Sequence, residues 1–215
     1  MKIKWLGHSC FVITSGENTK LVTDPFKSDK SLTYPVIRES ADVVTVSHEH
    51  LDHSNIAAVK GGPEVLKGKV DTIIKDISIK SINVWHDASS GRERGANNIF
   101  CINMDGINIC HLGDLGHRLS SEEIRQIGKV DVLFIPVGGL FTIDAEEAST
   151  VYVDIMPGIA IPMHYKTERC QWLSFSADDF IKGRKNVRKI NSSEIELNAA
   201  NLPAENEIVV LKYPV

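Results

Sequence analysis

Apolar and polar residues alternate from the first positions of the chain. KIKWL, CFVITS and KLVTD trade one kind for the other, with glycine and polar turns between the runs. A period of two marks a half-buried strand, so these runs predict an antiparallel meander. ADVVTVS is a more continuous apolar run and leads straight into a cluster of histidines. Further strands are expected at DTIIKD, ISIKSINVW, NIFCINM and INICHL, the last two joined through Asp105-Gly106, a dipeptide suited to a two-residue hairpin. The second half has a different rhythm. Ser120 with Glu123, Asp144 with Glu147, and Ser176 with Asp179 each set a capping residue three positions before an acid. They predict a short helix stopped by Gly128, a second running to about Ile155 before Pro157-Gly158, and a third over DDFIKGR. DVLFIPVGG, IAIPMHY and EIVVLKY are the strands between and after them.

A strand-rich half followed by an alternating half, with no Pro/Ser-rich linker or repeat between them, is satisfied by two packed sheets with helices outside. One domain spanning residues 1–215 is expected. The chain's 215 residues, 42% apolar and 24% charged, suffice for one large core. A formal net charge of −4 with no run of Lys or Arg leaves no electrostatic footprint for nucleic acid or an anionic membrane. MKIKWLGHSC has no apolar core of a signal peptide, and no segment approaches the roughly 18 apolar residues of a membrane span. A cytoplasmic protein is therefore expected. Cys10, Cys101, Cys110 and Cys170 show no CxxC spacing and read as small apolar side chains rather than disulfides or thiolate ligands.

The chemistry is concentrated in VSHEHLDHS, residues 46–54, where His48, His50, Asp52 and His53 fall within six positions. On an extended strand, residues two apart face the same side, so His48 and His50 can reach one ion together. A turn after them can bring Asp52 and His53 toward a second. Imidazole and carboxylate are donors that borderline divalent metals accept. Three more candidates stand where a predicted strand gives way to a loop: His86 after ISIKSINVW, Asp114 in HLGDLG, and His164 at the end of IAIPMHY. His111 and His117 read as packing or exposed imidazoles, and His8 as a residue lining the pocket. Asp24 in TDPF reads as fixing a turn or a neighbouring histidine.

At these residues the chain resembles the metallo-β-lactamase fold superfamily, whose signature is H-x-H-x-D-H followed by a later His, an Asp and a final His. More narrowly, WLGHSCFVI, VTDPF, HDASSGRERGANNIF, HLGDLG, IPVGG and IPMHYKT are similar to the metal-dependent hydrolase subgroup that resembles ascorbate-6-phosphate lactonase and N-acylphosphatidylethanolamine phospholipase D. The resemblance implies an α/β fold of α+β type, a four-layer αββα sandwich. It implies His48, His50 and His86 as ligands of a first metal, Asp52, His53 and His164 as ligands of a second, and Asp114 as the bridge. Class B lactamases commonly carry a cysteine at the second metal, which this chain lacks. Flavodiiron enzymes place glutamate where this chain has His50, Glu49 being one position off. The chain has no room for the inserted domain of the RNA-processing branch or the helical domain of glyoxalase II.

The function this implies is dinuclear hydrolysis of a small ester, lactone or phosphodiester. Two divalent cations, zinc first, with manganese and iron compatible, would share a bridging hydroxide formed at neutral pH. Asp52 would orient that nucleophile as the catalytic residue. His8, Arg94, Asn97 and Lys166 are the candidate substrate contacts, with Arg92 beside them. The expected partner is a small molecule, with no nucleic acid and no membrane span; a homo-oligomer is compatible. A non-catalytic metal-binding module and, more remotely, a nuclease are the competing readings. All seven ligand positions are filled, which favours the enzyme.

Overall fold

The alternation of KIKWLG forms strand β1 (Lys2–Gly7), in which buried and half-buried residues alternate along the run. A computed structural model covering residues 1–215 continues with β2 (Cys10–Thr14), β3 (Lys20–Thr23), β4 (Val43–Val46) and β5 (Glu64–Lys67). Then come β6 (Asp71–Ile74), β7 (Ile77–Trp85), β8 (Ala96–Met104), β9 (Ile107–His111), helix α1 (Ser121–Ile127) and β10 (Val132–Pro136). The chain closes with α2 (Ala145–Ile155), β11 (Ile159–Met163), α3 (Ala177–Ile181), β12 (Val187–Ile190), β13 (Glu194–Glu196) and β14 (Glu207–Leu211). The strands make a six-stranded sheet in the order β13-β1-β2-β3-β4-β5 and an eight-stranded sheet in the order β12-β14-β11-β10-β9-β8-β7-β6. The result is a mixed α/β fold of two sheets with few helices.

Register follows the pattern of the sequence. β1, β2 and β3 are antiparallel neighbours, whereas β4 joins β3 in parallel through Leu21 opposite Val43. β8 and β9 close on Met104 opposite Ile107, so Asp105 and Gly106 form the two-residue turn, both with positive φ. From β9 through β10 to β11 the sheet is parallel, and each crossover carries a helix: α1 between β9 and β10, α2 between β10 and β11.

The inner faces of the sheets share one core of 45 buried apolar residues. Phe11 of β2 stacks on Phe134 of β10 with ring centroids 4.0 Å apart, a direct contact between the sheets. The alternate residues of the first sheet, Cys10, Val12, Val22, Val44 and Val46, belong to a smaller cluster with Phe26, Leu32, Tyr34 and Ile37. This outer face is covered by irregular chain rather than by an α-helix. All three α-helices lie after residue 120, α1 against β7 and α2 against β10 and α3. The covering segment DPFKSDKSLTYPVIRES holds Pro25 and Pro35 and lacks a helical apolar period, so it follows the sheet as extended loop.

Candidate metal centre

Four strands deliver their ends to one place. β4 leads into Ser47 and His48, β7 ends one residue before His86, β9 three before Asp114, and β11 one before His164. β7 and β9 both run antiparallel to β8, and β11 follows β9 and β10 in parallel, so these three strands bring their carboxyl ends to one edge. That edge is where α/β sheets hold their ligands. The strand expected to carry His48 and His50 stops at Val46, and a turn closed by His53 N–H donating to the His50 carbonyl at 2.9 Å holds them instead. Their rings are still only 4.6 Å apart, His48 buried and His50 exposed.

Asp114 is the hub. Its Oδ2 lies 3.2 Å from Nε2 of both His53 and His164, 3.3 Å from Nε2 of His86 and 3.8 Å from Nε2 of His48. Three donor sets surround it: His48, His50 and His86; His48, His53 and Asp114; and His8, Asp52, His53 and His164. Within each set the ligand atoms lie within 4.8 Å of one another.

These donors fit divalent cations. Nε2 of His48 and of His53, and Oδ1 of Asp114, are buried without a hydrogen-bond partner, a costly arrangement unless something charged sits between them. Burial, aided by neighbouring His53, pushes His48 down to about 3, so its imidazole is neutral with a lone pair to give. Burial also opposes charging of His53, yet the Asp114 and Asp24 carboxylates hold it well above the usual histidine range. A cation at Nε2 would satisfy Asp114 in place of that proton and leave a neutral ligand, the form metals bind. Burial works against ionisation of Asp114 as well, but the His164 and His53 imidazoles around it keep its carboxyl well below the ordinary range.

The supports behind these donors set their tautomers. Asp24 Oδ1 accepts the Ser47 N–H at 2.7 Å, and its Oδ2 accepts both the Ser47 hydroxyl at 2.6 Å and His53 Nδ1–H at 3.0 Å. With its hydroxyl given to Asp24, Ser47 Oγ accepts from His48 Nδ1 at 2.9 Å. Both histidines thus direct Nε2 at the cluster, His48 with a free lone pair and His53 with one that a cation would expose by displacing its proton. His8 is pushed down to about 4 by burial and by neighbouring His164, and its neutral ring donates Nε2–H to Asp52 Oδ2 at 3.2 Å. His8, Asp24 and His164 all have positive φ, a backbone state that costs non-glycine residues about 1–3 kcal/mol each. At His8 and His164 the strain is held by the His8 carbonyl, which accepts Trp5 Nε1–H at 3.0 Å and the His164 N–H at 3.2 Å; Asp24 is held by its N–H donating to the Thr45 carbonyl at 2.9 Å.

HLGDLG and IPVGG owe their glycines to close approach. A Cβ on Gly116 would lie 2.2 Å from the His86 carbonyl carbon, and one on Gly138 would lie 2.2 Å from the His164 carbonyl oxygen. Backbone pressed on backbone fixes HLGDLG against the His86–Asp87 segment and IPVGG against the His164–Tyr165 segment.

The candidate substrate contacts separate. Arg94, half-buried, lines a cavity of about 240 Å³ together with Asp52, Asp114 and His164. His8 stands behind it, its ring 4.1 Å from that of His164. Asn97 does not reach the cavity. Its amide is buried and used at both ends, Nδ2 donating to the Leu112 carbonyl at 2.8 Å and Oδ1 accepting the Asp114 N–H at 3.0 Å. It therefore sets the Asp114 loop. Lys166 is exposed and lines a different cavity with Lys189 and Tyr213. Arg92 is exposed and turns its Nε–H to the Ser89 carbonyl at 2.9 Å. His111 donates Nε2–H to the Ser9 carbonyl at 2.9 Å and accepts Gly113 N–H at 3.2 Å; His117 accepts the Trp85 N–H at 3.2 Å. Neither joins the cluster.

Sequence reasoning passed over Ser47, Phe141 and Trp172. Ser47 could have been found, since it directly precedes His48. Phe141 and Trp172 line the cavity at the donor cluster from irregular chain with no period to reveal them.

The β-lactamase superfamily domain model matches residues 2–164. A UPF0173 metal-dependent hydrolase of Methanoculleus marisnigri is 33% identical over 190 residues, 78% of this chain and 82% of that protein. A second, from Thermoplasma acidophilum, is 31% identical over 191 residues, 78% of this chain and 84% of its own. Among solved structures, a metallo-β-lactamase superfamily protein of Thermotoga maritima, taken to be a Zn-dependent hydrolase, is similar with a TM-score of 0.80 and 35% identity, covering 98% of both chains.

Proposed function

The chain belongs to the β-lactamase superfamily and, within it, to the UPF0173 metal-dependent hydrolases, and from that premise we propose that it hydrolyses a small ester, lactone or phosphodiester at a pair of divalent cations. The observation that carries this reading is the position of Asp114 Oδ2 among four imidazole Nε2 atoms, with donor sets on two sides of it. His48, His50 and His86 would hold one ion, Asp52, His53 and His164 the other, and Asp114 would touch both. Zinc suits the imidazole and carboxylate donors, and the similar Thermotoga maritima protein is taken to be Zn-dependent. When bound, such cations supply Lewis acidity and bring the ionisation of water close to neutral pH.

The chain's own groups then orient the reaction. Asp52, about a third exposed, is the more open of the two carboxylates, whereas Asp114 is enclosed. His8 fixes Asp52 by donating to Oδ2, leaving Oδ1 to accept a hydrogen bond from the attacking water and aim its oxygen at the substrate. Burial raises the cost of charging Asp52, yet the His8 hydrogen bond and nearby His53 keep its carboxyl below the ordinary range, so it stays ionised at neutral pH.

A panel of p-nitrophenyl esters, a p-nitrophenyl phosphodiester and simple lactones, run with and without a chelator, tests the proposal. Chelator-sensitive turnover of at least one class that falls 10²-fold or more in Asp52→Ala is expected. Turnover indifferent to both chelation and Asp52→Ala contradicts the mechanism.

A further inference from the structure

Arg94 is the one cation at the mouth of the metal cavity, and it has no carboxylate partner: its guanidinium takes part in no ion pair or side-chain hydrogen bond. It lies instead over the ring of Phe141, 3.4 Å from the centroid. Phe141 meets Trp172 at 5.9 Å, and the Trp172 ring stands 6.0 Å from those of both His8 and His164. The cation is thus held by its face on an aromatic ring, which leaves the N–H edge free to bind.

Its loop is fixed to the metal cluster. Asp87, next to His86, accepts the backbone N–H groups of Ser89 and Gly91 at 2.8 Å each, of Glu93 at 3.1 Å and of Arg94 at 2.8 Å. One carboxylate therefore winds residues 87–94 into a compact turn whose ends carry a metal-ligand candidate and a free guanidinium. Four N–H donors gathered on one acceptor make this a preset geometry rather than a solvated charged loop.

From this geometry we propose that the substrate is an anion: a carboxylate or phosphate group on it pairs with the edge of Arg94 while the bond to be cleaved lies at the Asp114 cluster. The inference rests on the hydrolase reading above and narrows its substrate class. Charge supports it, since Asp52 and Asp114 neutralise only half the charge of two divalent ions and Arg94 adds to the remainder. Size sets the distance between the two groups. A cavity of about 240 Å³ holds the volume of about eight waters and falls below that of drug-sized sites, so the anionic group and the scissile group are close neighbours. Arg94 and His50 also border a second groove of about 560 Å³ running past Lys67 and Asn98, which gives the rest of the molecule a way out.

Isothermal titration of the zinc-loaded protein with succinate and, separately, with methyl phosphate tests the subsite without turnover. Binding of at least one is expected, weakened about tenfold in Arg94→Gln and partly restored in Arg94→Lys, as for the loss of a charge-assisted hydrogen bond. The tighter ligand identifies the carboxylate or the phosphate as the recognised group. In parallel, p-nitrophenyl hemisuccinate and p-nitrophenyl acetate share a leaving group and differ in the anion. Their ratio of kcat/KM should favour the hemisuccinate and drop about tenfold in Arg94→Gln. Equal binding to wild type and Arg94→Gln, or no binding of either anion, overturns the subsite. Absence of chelator-sensitive turnover across the whole panel of esters, phosphodiester and lactones, with Arg94-dependent binding intact, would instead overturn the hydrolase reading alone.

Discussion

Asp24 shows how much of this site depends on side chains that would touch no metal. Its carboxylate accepts from Ser47 N, Ser47 Oγ and His53 Nδ1, and through Ser47 it also settles the tautomer of His48. One buried residue thus aims a candidate ligand at each side of Asp114. Asp24→Asn keeps the shape but places an amide nitrogen where these donors need an acceptor. Metal affinity should fall about 10–100-fold, as supporting partners of metal ligands typically show, read by competition with a chromogenic chelator. Affinity equal to wild type would mean that the Asp24 network is packing alone. The sequence made the donors themselves visible, because H-x-H-x-D-H is a dense and rare pattern, and it pointed to Asp24 as a support. It could not separate Arg94 from Arg92 or Lys166, since which of three nearby cations faces the cavity depends on loop geometry and not on spacing.

Among the elements, those with strong local signals were legible and those defined by their neighbours were not. Each of the three capping pairs opens a helix where expected; Glu147, for instance, accepts the Asp144 N–H at 3.2 Å while Asp144 accepts from Glu146 N and Glu147 N at 2.9 Å. The third helix ends at Ile181 and does not reach Arg184, because Gly183 follows with φ +77°. β5, β12 and β13 carry no such signal. They are short, charged strands on sheet edges, a composition that protects an edge and erases alternation. The glycine-bearing loops belong to this scale as well. Gly138→Ala forces a methyl group against the His164 carbonyl, so it should lower the thermal midpoint and the metal retained per chain. Gly16→Ala, whose new methyl would find its nearest neighbour 3.8 Å away, should change neither. If both variants keep full metal and the wild-type midpoint, the close packing of the Gly138 and His164 loops does not govern the site.

At the scale of the whole molecule, the cluster lies where the two sheets meet. The chain after β4 of the six-stranded sheet supplies His48, His50, Asp52 and His53, and strand ends of the eight-stranded sheet supply His86, Asp114 and His164. Asn98 of β8 ties the halves together, its backbone N–H and side-chain amide both donating to the Ser47 carbonyl, at 3.0 and 2.8 Å. Two sheets packed on one core could be read from the rhythm of the chain. The loop-covered outer face of the first sheet could not, because proline-broken extended chain has no period to detect. These seven residues are expected to hold two metal ions around Asp114. Elemental analysis of the purified protein after reconstitution with zinc or manganese, alongside His50→Ala and Asp114→Ala, counts them. About two equivalents per chain are expected in the wild type, fewer in His50→Ala and little in Asp114→Ala; no stoichiometric metal in the wild type would mean that the Asp114 cluster is not a metal centre.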